Sequence, residues 1–435
     1  MTGHVIVVDL GYGDAGKGGV VDWLCAKPAK HPVRTVVRFN GGAQAAHHVL
    51  APGGAVHAFA QFGSGTFTPG VRTFLSRFML VDPLAMTAEA AHLRTLHVQD
   101  PFTRITVDRD ALLTTPYHQA ANQAKETARD ADRHGSCGMG IGETARYALE
   151  HPTDAPRAAD CETPRVLTRK LTLLRDRLAE ENKTTMQPPP SVLADVYQTW
   201  ARRVTLAGDG HLVTLLKHGP VVFEGAQGVL LDEWHGFHPY TTWSTTTFAN
   251  AETLLAEAGE TAARLGVIRC YLTRHGPGPF VSEDPALDLP EPHNRTGRWQ
   301  GPVRTGHLDA VALRYAAEVA GGLDAVALTH LDVARRHEGE LRLCRQYSIG
   351  GQTATRLSPG PDRDLAHAER LTRLLLSARP VYDETERITA RDWPGLVAGI
   401  TGAPVTIRSH GPAATDKTAA PAPISRPPAR TAPPR

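Results

Sequence analysis

Short β-branched apolar runs recur along the chain between longer mixed stretches, at Val5–Leu10, Thr35–Phe39, Gly219–Phe223, Gly266–Tyr271, Asp324–Leu328 and Pro404–Ile407. Residues that are apolar at consecutive positions mark strands buried on both faces, the condition of a parallel sheet covered by helices. Helical patterns separate the runs. Residues 165–205 carry a long charged and apolar periodicity interrupted by Pro188-Pro189-Pro190, which predicts a helical insertion broken by a loop. From about Thr415 the chain is rich in Ala, Pro and Arg and lacks the apolar content to fold, so 413–435 is expected to be a disordered tail. The pattern predicts an α/β fold with a large, mostly parallel central sheet flanked by helices, its strand-to-helix loops carrying the chemistry.

Composition narrows the function classes. With 435 residues, 41% of them hydrophobic, the chain has ample material for a large core. A formal net charge of +2 and the absence of a basic block argue against nucleic-acid binding. No stretch reaches about 18 uninterrupted apolar residues and the first strand begins without a leader pattern, so no membrane association and a cytoplasmic location are expected. Cys25, Cys137, Cys161, Cys270 and Cys344 are scattered without C-x-x-C pairing and suggest neither a disulfide framework nor a zinc site.

The first run feeds a glycine-rich loop with the spacing G-x-x-x-x-G-K from Gly11 to Lys17. Such a loop wraps phosphate oxygens with backbone N–H groups, sends its lysine to the terminal phosphates and opens a helix whose N-terminus favours negative charge. Other phosphate loops follow the lysine with Ser or Thr to hold Mg²⁺. Gly18 stands there instead, and Asp14 inside the loop is the obvious hard oxygen ligand. Four further islands lie far apart. Asn40 to His48 combines small residues with an amide and two imidazoles, His47 being an acid–base candidate. Phe223 to Asp232 is a strand and small-residue turn that places Gln227 toward a polar ligand edge, with Thr242 downstream. Arg295-Thr296-Gly297-Arg298 with Arg304 suits carboxylate or phosphate. Thr329-His330-Leu331-Asp332 offers a carboxylate for the two donors of a guanine edge.

In this order the islands resemble the adenylosuccinate synthetase family from about residue 3 to 412. The family patterns GDEGKGK, GG-x-NAGH, GTTGRGIGP, FEGAQG-x-LLD, TTGR, TKLD and S-x-GP are matched by GDAGKGG (13–19), GGAQAAH (41–47), GSCGMGIGE (135–143), FEGAQGVLLD (223–232), RTGR (295–298), THLD (329–332) and SHGP (409–412). The resemblance implies a P-loop GTPase-like fold with helical insertions, one GTP-dependent ligase domain over 1–412, and a homodimer acting on small-molecule substrates. It implies that Asp14 takes the proton from the acceptor ring while His47 stabilises the oxygen that receives the GTP γ-phosphoryl group, after which an amino-acid amine displaces the phosphorylated oxygen. Lys17 and Gln227 would complete the catalytic set. GTP would contact Gly13, Asp14, Gly16, Lys17, Gly18, His330, Asp332, Ser409, Gly411 and Pro412, with Mg²⁺ on Asp14 and the Ala46 carbonyl. The acceptor would meet Asp14, Gln44, Cys137, Gln227, Thr242 and Arg298, and the amino acid Thr296, Gly297, Arg298 and Arg304.

Departures from the family pattern shape the functional expectation. Ala15 replaces an acidic residue, Gly19 the second loop lysine and His330 the lysine of TKLD. At the acceptor's phosphate subsite Gln44 replaces asparagine, Cys137 threonine and Met139 arginine, and Arg146 lies out of register with the arginine that a partner subunit contributes in the family. The expected function is a GTP-dependent C–N ligase whose acceptor is not simply IMP and whose amino acid is aspartate or a relative. The alternatives are a genuine adenylosuccinate synthetase and an inactive GTP-binding regulatory protein.

Overall fold

The computed structural model describes residues 3–420 except 52, 131, 132, 293 and 295. Its frame is a sheet of ten strands: β1 (His4–Asp9), β2 (Thr35–Arg38), β3 (Arg72–Leu75), β4 (Ile105–Asp108), β5 (Thr205–Ala207), β6 (Val221–Glu224), β7 (Ala262–Arg269), β8 (Ala325–Thr329), β9 (Val405–Ser409) and β10 (Lys417–Ala419). In space they run β10-β9-β8-β7-β1-β6-β2-β3-β4-β5. All neighbours are parallel except β10, which closes one edge antiparallel to β9. The first strand sits near the middle, and later strands are added on either side. This is the arrangement that opens a crevice at the carboxyl ends of the central strands.

Alternate residues of β1 enter different cores. Ile6 and Val8 pack with Val37, Phe223, Leu254 and Val311 on one face. Val5 and Val7 pack on the other with Val20, Val21 and Leu24 of helix α1 (Lys17–Ala26). Burial on both faces is why these strands read as continuous apolar runs. A third core holds the helical insertion, where Leu167, Leu171, Leu174 and Leu178 form one stripe of the helix Pro164–Asn182 against Leu193, Tyr197 and Trp200 of the helix Pro190–Ala201.

Three sequence expectations change. The run Gly266–Tyr271 divides: β7 ends at Arg269, and Tyr271 opens a hairpin strand (Tyr271–His275) that pairs antiparallel with Val303–Asp309. The insertion ends at Thr205, which already belongs to β5 at the sheet edge. The first part of the expected tail is folded: residues 414–416 form a 3-10 turn and Lys417–Ala419 pair with Ile407–Ser409. Strand pairing and side-chain bonds hold this segment without a large apolar content. Residues 421–435 lie outside the described residues. Among the described residues no helix is long and apolar enough to cross a membrane, and the five cysteines are unpaired.

Candidate active site

The carboxyl ends of β1, β2, β6, β8 and β9 supply the phosphate loop, the Asn40, Phe223 and Thr329 islands and the Ser409–Pro412 turn, so one edge of the sheet gathers these, whereas Thr296–Arg298 and Arg304 lie between and on the hairpin strands Tyr271–His275 and Val303–Asp309. The phosphate loop is shaped by Asp9, the last residue of β1, which is buried. Its carboxylate accepts from the N–H groups of Gly11 and Ala15, both at 2.8 Å, and from Lys17 Nζ at 3.1 Å. Thr329 Oγ1 donates to the Ala15 carbonyl at 2.8 Å and Arg269 Nε to the Asp14 carbonyl at 2.6 Å. The turn after β6 lies directly on this loop: a Cβ at Gly228 would collide with the Gly11 carbonyl and the Gly13 nitrogen. Helix α1 starts with Gly16 in the left-handed conformation, with no side-chain cap and no acidic residue in its first turn. Its first N–H groups are therefore offered to an anion.

Three non-glycine residues around the loop hold positive φ: Asp14 at 59°, Gln227 at 64° and His330 at 59°. Such backbone persists only where surrounding contacts enforce it. Asp14 Oδ2 lies 2.9 Å from His275 Nε2. Burial would raise the carboxyl's pKa, but His275, Arg269 and Lys17 hold it well below the usual carboxylate range, so Asp14 is ionised at neutral pH. His275 in turn is raised by Asp14 against the opposing effect of burial.

His47 opens a hairpin strand (His47–Leu50) after the β2 loop, and its Nδ1 lies 2.6 Å from Glu224 Oε1 at the end of β6. Glu224 also accepts from the Ser64 nitrogen at 2.9 Å and from the Ser64 hydroxyl. Burial lowers the His47 pKa to about 4 even though Glu224 opposes it, with Arg38 and Lys17 adding to the depression. Burial would raise Glu224, but Arg38, His47 and Ser64 hold it at about 2. A neutral ring that donates from Nδ1 leaves Nε2 as its reactive atom, and Nε2 is buried without a protein partner. The histidine also explains Gly18. A Cβ there would lie 2.7 Å from His47 Cβ and 3.1 Å from Ser64 Oγ, so the Ser or Thr of other phosphate loops does not fit.

Of the residues expected to meet the acceptor, Gln44 has both amide atoms buried and unpaired, and Gln227 backs onto Gly13. The Thr242 nitrogen donates to the Leu231 carbonyl at 2.8 Å, tying that segment to the 3-10 turn Val229–Leu231. The loop carrying Cys137 and Met139 is covered by Trp299: a Cβ at Gly138 would lie 2.7 Å from its Cδ1. Arg298 is exposed, 4.9 Å from the Trp299 ring centroid, and Thr296 is exposed beside Gly297. Arg295 lies outside the described residues. Arg146 is held by Glu143, Glu150 and Glu181 at 2.6–2.8 Å. Arg304, expected to bind the amino acid, is instead committed to the fold. It pairs with Glu283 and donates to the carbonyls of Gly276 at 3.1 Å and Gly278 at 2.9 Å.

Among the residues expected to meet guanine, His330 Nδ1 lies 2.9 Å from Thr329 Oγ1, and its ring meets Tyr271 edge-on at 5.5 Å. Burial, Arg269 and Lys417 hold this imidazole well below its ordinary pKa, hence neutral. Asp332 accepts from Arg336 at 2.6 Å. Ser409 Oγ donates to the Gly411 carbonyl at 3.0 Å, in the turn that includes Pro412. Among the described residues no group of three or more His, Cys, Asp and Glu could hold a metal. Asp14 is ionised and partly exposed, and Ala46 is exposed; hard oxygen donors of this kind suit a cation that brings phosphate oxygens as its other ligands.

Sequence reasoning missed Asp9, Glu224, Arg269 and His275 as site residues. Asp9 and Glu224 end two of the recognised strands, and a charged residue closing an apolar run is the signal that marks them.

A glycine loop on an uncapped helix N-terminus, at the carboxyl edge of a parallel sheet and beside an acid–base pair, defines a nucleotide-dependent phosphoryl-transfer enzyme. The comparisons narrow this class. Residues 6–417 match the family model "Adenylosuccinate synthetase". The adenylosuccinate synthetase of Anaeromyxobacter sp. (strain Fw109-5) is 32% identical over 412 residues, covering 90% of each chain. That of Mycobacterium tuberculosis (strain CDC 1551 / Oshkosh) is 31% identical over 432 residues, covering 94% of this chain and 96% of the relative. Among solved structures, the fully ligated adenylosuccinate synthetase from Plasmodium falciparum superposes with a TM-score of 0.78 at 21% identity, over 96% of this chain and 99% of that one. The succinoaminodeoxyadenylate synthetase PurZ of cyanophage S-2L, solved with dGMP and with dATP as energy donor, superposes with a TM-score of 0.58 at 17% identity, over 97% and 96%. The chain belongs to the adenylosuccinate synthetase family, GTP-dependent ligases that form a C–N bond.

Proposed function

We propose that this ligase activates an acceptor other than IMP and joins it to the amine of aspartate or a related amino acid. The observation that carries this reading is the acceptor's phosphate subsite. Cys137 and Met139 replace a hydroxyl and a cation, Trp299 covers Gly138, and Arg146 is engaged by three glutamates. A dianionic phosphate needs charge-assisted donors, and this loop offers few.

The rest of the site supports a shared mechanism. The N–H groups of the phosphate loop and Lys17 would receive the nucleotide's phosphates, with His330, Asp332, Ser409, Gly411 and Pro412 around its guanine. Asp14 and the Ala46 carbonyl would hold Mg²⁺, which supplies charge neutralisation on the transferred group when bound. Asp14, ionised at neutral pH, would accept the acceptor's ring proton. His47, backed by Glu224, would put Nε2 against the oxygen that becomes phosphorylated, and Gln44 and Gln227 would orient the acceptor through their amides. Phosphorylation converts that oxygen into a leaving group, which the amine displaces as inorganic phosphate. Thr296 and Arg298 would hold the amino acid's carboxylate. We further propose a homodimer, as the family resemblance implies, located in the cytoplasm.

The test is release of GDP and phosphate from GTP and aspartate across a panel of carbonyl and carboxyl acceptors that includes IMP. Asp14→Asn and His47→Ala serve as controls, expected to lower kcat by roughly 10²-fold or more. IMP turned over with kcat/KM above about 10⁴ M⁻¹s⁻¹, in the ordinary enzyme range, refutes the proposal and makes the protein a plain adenylosuccinate synthetase.

A further inference from the structure

Position 19, lysine in the family's loop pattern and glycine here, faces a space that is already taken. A Cβ at Gly19 would lie 3.1 Å from Lys417 Nζ, 3.2 Å from its Cε and 3.6 Å from the Pro412 carbonyl. Lys417 opens β10, across from Ser409 of β9, and its side chain is buried. Its ammonium approaches the carbonyls of Gly411 at 3.4 Å, Pro412 at 3.3 Å and Ala413 at 3.0 Å. Three N–H groups meet three carbonyls, so this lysine is spent on the turn and keeps no donor for a phosphate. Asp22 of α1, Asp332 and Asp416 are the carboxylates that act on it. Asp416 clamps the same turn from the other side, accepting from the Ala413 nitrogen at 2.8 Å while its backbone carbonyl receives the His410 N–H at 2.9 Å.

We infer that Lys417 is a positioning residue for nucleobase recognition: its ammonium, seated in the space beside Gly19, fixes the Ser409–Ala413 turn at a set height over the start of α1. A buried cation can hold three carbonyls convergent where a neutral side chain cannot, because each bond to a charged donor is roughly twice as strong as a neutral one. Gly19 and Lys417 then form one device, in which the glycine clears the space that the lysine fills. The inference rests on reading the 409–412 turn as the one that receives guanine.

Calorimetric titration of the full-length protein with Mg²⁺ and GDP, and separately with Mg²⁺ and ADP, tests it without an acceptor. Lys417→Met keeps the apolar stem and removes the charge. It is expected to bind GDP on the order of 10-fold more weakly and ADP little changed, so that the preference for GDP shrinks. Gly19→Lys added to Lys417→Ala returns an ammonium from the other side and should recover part of the GDP affinity. If Lys417→Met does not fold, Gly19→Ala carries the test. It improves helix propensity and alters no charge, while its Cβ, 3.1 Å from Nζ, shifts the ammonium by a few tenths of an ångström, so a smaller weakening of GDP binding with ADP unchanged is expected. Equal GDP affinity in wild type and variant, or equal losses for GDP and ADP, overturns the inference. Wild-type protein that binds GDP no better than ADP overturns the reading of the turn instead.

Discussion

Asp9→Asn should destabilise the protein far more than its near-isosteric change suggests. The carboxylate Oδ1 accepts from Gly11, and Oδ2 accepts from both Ala15 and Lys17. Asparagine keeps one acceptor and turns an NH₂ toward the other two donors, leaving a buried N–H unsatisfied and a buried ammonium unpaired. Lys17 is only 3% exposed, so solvent does not screen the loss. An orphaned buried donor costs about 1–3 kcal/mol and a broken buried ion pair about 3–5 kcal/mol. The two overlap on one oxygen, so the net is about 4 kcal/mol, a large share of the roughly 5–15 kcal/mol that folded proteins hold. Urea unfolding followed by circular dichroism measures it. A cycle with Lys17→Met isolates the pair: the double variant should recover at least about 1 kcal/mol relative to the sum of the singles. A loss below about 1 kcal/mol for Asp9→Asn, or additivity within about 0.5 kcal/mol, refutes the argument that Asp9 is the floor of the phosphate loop.

The His47 imidazole should titrate near pH 4 in the folded protein, as followed by NMR of labelled histidine; a value above about 6, close to an unperturbed imidazole, would contradict the burial account. Because the folded ring binds its proton less readily than the unfolded one, its contribution to stability is fully present above about pH 6.5 and is lost as the pH falls through about 4. Gly18→Ser, which restores the residue of other phosphate loops, should push His47 off Glu224 and cost about 1–3 kcal/mol from overpacking. Wild-type stability with unchanged GDP release would sink that explanation.

Much of the sheet was legible because β1, β2, β6, β7, β8 and β9 are buried on both faces and so read as unbroken apolar runs. The strands β3, β4 and β5 were not read: each carries only two apolar residues, Phe74 and Leu75, Ile105 and Val107, and Leu206 and Ala207, too few to stand out as a run. The loops were legible from small residues that have a steric reason, as Gly18 and Gly228 show. Their charged partners were not: the roles of Arg269 and His275 exist only once distant strands lie side by side, whereas Asp9, whose partners Gly11, Ala15 and Lys17 are local, was passed over inside an apolar run. Glu224 becomes the partner of His47 only when β6 pairs with β2. Lys417 was hidden for another reason: it sits in a segment whose composition resembles that of an unfolded tail, though strand pairing and three carbonyls hold it.

The position of β1 has a consequence for synthesis in the cell. This strand leaves the ribosome well before its partners β6 and β7, which follow more than 200 residues later. At about 5–20 residues per second the delay is on the order of 10–40 s, during which Val5, Ile6, Val7 and Val8, almost wholly buried in the finished protein, have no sheet to join. The phosphate loop cannot close in that interval either, since Gly228, Arg269 and Thr329 all arrive afterwards. Nascent chains should therefore be strong clients of holding chaperones until β8 has emerged, and a nucleotide cannot template the folding of β1 even though the glycine loop is made before the strands that close it.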